Sequence, residues 1–254
     1  MAAPHDGNPT QAILLDIEGT TTPIDFVYRT LFPFARQRLQ KFLLEHESEP
    51  EIHEVVAALR MQHRGDAAQQ LQPPAWADHS RSAELASAAA YALWLMDRDS
   101  KCSALKSLQG KIWQEGYRAG ELHGEVYPDV PVALAHWRSE GKIVCIFSSG
   151  SILAQQMLFG STPAGDLTGL LYAFFDTTTG PKNAPGSYKR IAETLALETG
   201  KILFISDVTT ELDAARDAGL QTALCVRTNP ADQVASGHRV VHSFPELFAA
   251  RLDR

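Results

Sequence analysis

Residues 11–22 read QAILLDIEGTTT, and the fold turns on how this stretch is taken. QAILLDIE is a short apolar run that ends in acids, which suits a strand buried on both sides. Asp16 and Glu18 stand two apart, so in an extended segment both point the same way. Gly19 then permits a sharp turn through a backbone conformation that other residues resist.

Downstream, four more runs share this character: KIVCIFS (142–148), YAFFDT (172–177), KILFISD (201–207) and TALCVR (222–227). Between them lie the helical stretches VPVALAHWRSEG, SILAQQMLFG, SYKRIAETLALETG and TELDAARDAG, several closed by glycine. Near-continuous apolar strands alternating with helices predict an α/β fold, a Rossmann-like parallel sheet covered on both faces. From about residue 23 to 124 the composition is instead helical, rich in Ala, Leu, Gln, Glu and Arg at three- and four-residue spacing. Pro73 and Pro74 punctuate it. The expected organisation is an α/β core built from 1–22 and 125–254, with an α-helical cap domain, 23–124, inserted after the first strand. Glycines and prolines near Thr21–Pro23 and Gly120–Pro128 fit hinges between the two.

Composition narrows the function. The chain has 254 residues, with 23 Lys and Arg against 30 Asp and Glu, a net charge of −7. That balance argues against a sequence-independent nucleic-acid binder, which needs a basic face. No apolar run approaches the roughly 20 residues of a membrane span, and the opening MAAPHDGNPT lacks the layout of a signal peptide. Three scattered cysteines make neither a disulfide framework nor a zinc cluster, which points to a reducing compartment such as the cytoplasm.

In open parallel sheets ligands bind beyond the carboxyl ends of the strands. There the sequence places Asp16, Glu18, Gly19 and Thr20, then Ser148, Ser149 and Gly150, then Asp207. Carboxylates gathered at one edge repel unless a cation sits among them, and a few hard oxygen ligands suit Mg²⁺ better than zinc. The hydroxyls and amides of SSGS, opening a helix, suit a phosphate oxygen. Lys182, in the turn TTTGPKN, offers counter-charge. Taken singly, Asp207, Ser148 and Ser149 also read as helix caps, and Glu211 and Asp213 as macrodipole caps or holders of a metal-bound water. Tyr91, Trp94 and Met96 read as helical core, Cys145 as strand packing, and Lys101 and Lys106 as a solvated helix face.

DIEGT, FSSGS, a lysine after a strand and ISD, in that order, resemble the four-motif layout of the haloacid dehalogenase superfamily. The usual first motif has aspartate where this chain has Glu18. That departure, with LQGKIWQEGYRAGEL, VYPDV and FDTTTGPK, is similar to the acireductone synthases, the bifunctional enolase-phosphatases of methionine salvage. The resemblance implies a small phosphorylated diketone as substrate, enolised and then dephosphorylated. It implies Asp16 as nucleophile and Glu18 as proton-transfer group. Mg²⁺ would be held by Asp16, Glu18 (through its carbonyl) and Asp207, and the phosphate by Ser148, Ser149 and Lys182. A cytoplasmic monomer is also implied. The open alternatives are a plain Mg²⁺-dependent phosphomonoesterase, a non-catalytic protein on the same fold, and a dehalogenase or a phosphonate-cleaving enzyme, the latter through Lys101 or Lys106.

Overall fold

The computed structural model describes residues 10–100, 102–227 and 237–248; Lys101 lies outside them. The chain divides into two compact units. One takes the chain up to Phe26 and again from His123 onward; the other is Val27–Leu122.

The first unit is a six-stranded sheet, every pair parallel, in the order β3-β2-β1-β4-β5-β6. Its strands are β1 Ala12–Leu15, β2 Ile143–Phe147, β3 Ala173–Phe175, β4 Ile202–Ser206, β5 Gln221–Cys225 and β6 Arg239–Val241. The helices are α1 Ile24–Phe26, α6 Asp129–Ser139, α7 Ile152–Gly160, α8 Pro185–Thr194 and α9 Thr209–Asp217. The unbroken apolar runs have their reason in burial on both faces. Ala12, Leu14, Cys145, Phe147, Phe204 and Leu224 pack with Tyr188 and Ile191 of α8 and Leu212 and Ala215 of α9. Their alternates Ile13, Leu15, Val144, Ile146 and Ile205 are buried too, and each such side chain contributes about 1.5–3 kcal/mol. Strand β6 departs from the sequence reading, which has no element beyond residue 227. RVV is too short to display a period, and only its pairing with β5 defines it.

The second unit is helical: α2 Phe32–Glu45, α3 Pro50–Ala68, α4 Arg81–Met96 and α5 Ser103–Arg118. A π-helical turn, Val27–Leu31, leads into α2. Leu39, Leu43, Ile52, Leu59, Leu85, Tyr91 and Leu108 share one core. Trp94 and Met96 pack against its edge, as the helical periodicity predicts, and Lys106 is exposed. Inside this core lies one carboxylate, Asp66, which accepts hydrogen bonds from Tyr91 (2.5 Å) and Gln62 (2.9 Å). Among the described residues, no helix is long and apolar enough to cross a membrane.

Candidate active site

Strand β1 lies between β2 and β4, with Leu15 in register with both Ile146 and Ile205. The chain runs outward from β1 to β2 and β3, then returns to β4 on the other side. This reversal is the switch point at which open α/β sheets bind ligands. The residues just past these strand ends, Asp16, Ser148 and Asp207, therefore meet at one edge.

Asp16 is buried and held through both oxygens. Lys182 donates to Oδ1 at 2.5 Å and Ser206 donates to Oδ2 at 3.2 Å. Lys182 also lies 2.7 Å from Glu211 Oε2, which in turn is 3.1 Å from Ser206 Oγ. The Lys182 turn is itself anchored, because Tyr188 Oη donates to the Lys182 carbonyl at 2.6 Å. Asp207 stands beside the turn after β1: a Cβ built on Gly19 would lie 2.6 Å from Asp207 Cγ. Gly19 has φ +73°, so the glycine is required both for its backbone conformation and for the close approach of the carboxylate.

Burial pushes the Asp207 carboxyl up to about 7, with the Asp16 charge adding to the effect. Burial and Asp16 raise Glu211 as well, against the pull of Lys182. For Lys182 burial acts to lower the ammonium, and the Asp16 and Glu211 charges overcome it, leaving it raised. Two carboxylates thus pair with one ammonium, and a third, Asp207, is close enough to feel the Asp16, Glu211 and Lys182 charges, an excess of negative charge that a divalent cation would offset.

Asp207 Oδ1 is buried without a hydrogen-bond partner, the kind of orphan that an ion or water explains. Among the described residues no three His, Cys, Asp or Glu side chains are arranged to hold a metal by themselves. Mg²⁺ is commonly held by one or two carboxylates plus carbonyl and water oxygens. The donors present therefore fit magnesium: the Asp16 and Asp207 carboxylates, with the Glu18 carbonyl between them in sequence.

Of the residues singled out in the sequence, Asp16, Lys182 and Asp207 gather in this cluster. Asp207 is no helix cap, since α9 begins after Val208 with no side-chain cap. Ser148 is buried at the end of β2, and its Oγ accepts from Gly150 N at 3.2 Å. Neither Ser148 nor Ser149 caps α7; Ser151 does, accepting from Ala154 N. Ser149 and Glu18 are exposed. Glu211 joins the cluster, whereas Asp213 turns to Arg216 and His238. Ser206 was missed. Its signal was a hydroxyl at the end of the apolar run ILFIS, where a polar atom must find a partner.

Comparison with known proteins places the chain in a family. Residues 10–219 match the family model described as haloacid dehalogenase-like hydrolase. The enolase-phosphatase E1 of Synechococcus elongatus is 46% identical over 92% of this chain and 96% of its own length. That of Sorangium cellulosum is 45% identical over 94% and 97%. Among solved structures, the UTR4 protein of Saccharomyces cerevisiae superposes with a TM-score of 0.70 at 30% identity, over 92% of this chain and 98% of that one. A dehalogenase at 19% identity and a TM-score of 0.53, covering 94% and 95%, shares the fold. The chain belongs to the haloacid dehalogenase-like hydrolase family, in its enolase-phosphatase E1 group.

Proposed function

We propose that this chain is the enolase-phosphatase of methionine salvage, converting 2,3-diketo-5-methylthiopentyl-1-phosphate through its enol to 1,2-dihydroxy-3-keto-5-methylthiopentene. The observation that carries the reading is the Asp16 carboxylate, buried at the switch point and oriented from both sides by Lys182 and Ser206. A carboxylate so held pays little further ordering cost before in-line attack on phosphorus. In the first half-reaction Glu18 takes the proton from C1 while the C2 carbonyl oxygen gains one from water, giving the enol and leaving Glu18 protonated for the second step. In the second, an Asp16 oxygen bonds to phosphorus while the phosphorus–oxygen bond to the substrate breaks. Glu18 protonates the departing oxygen, then accepts a proton from the water that hydrolyses the aspartyl phosphate.

Lys182, Ser148 and the Ser149 amide orient the phosphate, the lysine exchanging its carboxylate partners for phosphoryl oxygens. Asp16, the Glu18 carbonyl and Asp207 would hold Mg²⁺, which supplies charge neutralisation on the phosphoryl group. The helical unit Val27–Leu122, inserted soon after the first motif, serves as the cap that excludes water during enolisation. The free thiols Cys102, Cys145 and Cys225 fit a reducing compartment, and we read the enzyme as a cytoplasmic monomer.

The test follows ultraviolet absorbance and free phosphate together on the diketone phosphate, with and without Mg²⁺. An enol signal that precedes phosphate release, with release lost in Asp16→Asn, is expected. Phosphate without a preceding enol would reduce the protein to a simple phosphatase and remove the enolisation role of Glu18.

A further inference from the structure

Arg227, two residues beyond β5, takes no part in the chemistry above, yet it is among the most completely engaged side chains of the first unit. It is nearly buried, at 6% side-chain exposure. Nε and Nη2 both donate to the carbonyl of Thr20, at 2.9 and 2.8 Å. Nη1 donates to both oxygens of Asp129, at 2.9 and 2.8 Å, with a longer 3.4 Å contact to the His242 carbonyl. The guanidinium lies over the rings of Tyr127 and Phe244, 4.4 and 4.6 Å from their centroids. Asp129 is fixed in turn by the amide of Phe244 at 2.8 Å. Planar donors, ion pair and two aromatic faces together leave the fork one orientation.

What the fork grips is the catalytic turn. Residues 16–22 are tied internally: the amides of Thr20, Thr21 and Thr22 all converge on the Ile17 carbonyl, Thr21 Oγ1 reaches the Asp16 carbonyl, and Gly19 N reaches the Thr22 carbonyl. These bonds fix the shape of the turn but not its place. At its first residue the turn is placed by Asp16, whose N reaches the Ile205 carbonyl (3.0 Å) and whose carboxylate meets Lys182 and Ser206; at its far end it is placed by Tyr127 N on the Thr21 carbonyl (2.9 Å) and by the Arg227 fork on the Thr20 carbonyl. Strand β5 is the neighbour of β4, and β4 delivers Asp207. The fork therefore ties the turn bearing Glu18 to the part of the sheet bearing Asp207.

We propose that Arg227 is a positioning residue: its forked hydrogen bond to the Thr20 carbonyl sets the spacing between the Glu18–Gly19 turn and Asp207, and so the affinity of the site for Mg²⁺ and the rate of phosphoryl transfer. The proposal rests on the functional reading above. Lysine at 227 keeps the charge and the reach toward Asp129 but cannot make the fork. For Arg227→Lys the Mg²⁺ concentration at half-maximal thermal shift, read on substrate-free protein, is expected to rise about tenfold. On the diketone phosphate kcat should fall about 10- to 100-fold, with KM changed less than about threefold.

Asp129→Asn, which loosens the arginine without removing it, should move both readouts the same way by a smaller factor, and decides the matter if Arg227→Lys does not fold. Tyr91→Phe, in the helical unit, supplies a comparably destabilised control whose Mg²⁺ midpoint should stay at the wild-type value. The proposal is overturned if the folded variants keep wild-type Mg²⁺ midpoint and kcat, or if Tyr91→Phe shifts the midpoint equally. Wild-type protein that binds Mg²⁺ but does not turn over the diketone phosphate would refute the functional reading instead, and the Mg²⁺ midpoints would still decide the clamp.

Discussion

Replacing Gly19 with alanine tests the site where backbone and carboxylate meet most closely. Two costs arise. Holding a non-glycine residue at φ +73° costs about 1–2 kcal/mol. The added Cβ would also lie 2.6 Å from Asp207 Cγ, whereas carbon atoms pack at about 3.5–4.0 Å. The carboxylate must therefore retreat by roughly 1 Å, a displacement that at a reacting centre costs on the order of 100-fold in rate. The stability loss should lower the melting temperature by about 2–8 °C for a domain of this size, leaving the protein folded at 25 °C. The expected outcome of Gly19→Ala is thus a folded protein whose Mg²⁺-dependent phosphate release, followed with enol absorbance across a Mg²⁺ titration, drops about 100-fold. A variant with kcat within threefold of wild type and an unchanged Mg²⁺ midpoint would show that Asp207 need not stand against this turn, and would sink the argument.

Three further outcomes follow from the same physics. In chelator at pH 8, Asp207→Asn should melt higher than wild type, because a carboxyl held up at about 7 is ionised there at a cost that the neutral amide avoids. Mg²⁺ should reverse the order, adding about 2.7 kcal/mol to wild type at 100 times its dissociation constant and nothing to the variant; calorimetry with and without metal reads both. Tyr91→Phe should cost about 1.5–3 kcal/mol in chemical denaturation, because it strips a hydrogen bond from the buried Asp66 carboxylate, while kcat is unchanged. His46 is raised chiefly by its hydrogen bond to Glu49, against burial, with Glu115 assisting. Its contribution is therefore complete below the ordinary value of 6.5 and fades as pH rises through the higher native value. Denaturation midpoints of wild type minus His46→Gln should shrink by on the order of 0.5 kcal/mol over that window; a difference that grows with pH would refute it.

How far the sequence could be read depended on how local each determinant was. The strands that carry Asp16, Ser148 and Asp207 announce themselves because burial on both faces demands an unbroken apolar run, and the polar residue ending each run is visible by contrast. Lys182 was legible for a related reason, as a cation in a turn that follows such a strand. β6 was not legible, since three residues carry no period and the strand exists only as an addition to β5. Glu211 sat in the first turn of a helix, where macrodipole stabilisation explains an acid equally well; only its distances to Lys182 and Ser206 separate the explanations. Arg227 is the limiting case. Read along the chain it is one basic residue closing a strand, and its partners Thr20 and Asp129 both lie far from it in sequence. Its meaning lies in a carbonyl 207 residues away, and a carbonyl is a group every residue possesses, so no pattern of side chains could have marked Thr20 as the acceptor. Residues that supply chemistry are constrained in type and stand out in sequence. Those that hold a backbone in place are constrained only by where the fold puts them, which is why the clamp on the catalytic turn had to be found in three dimensions.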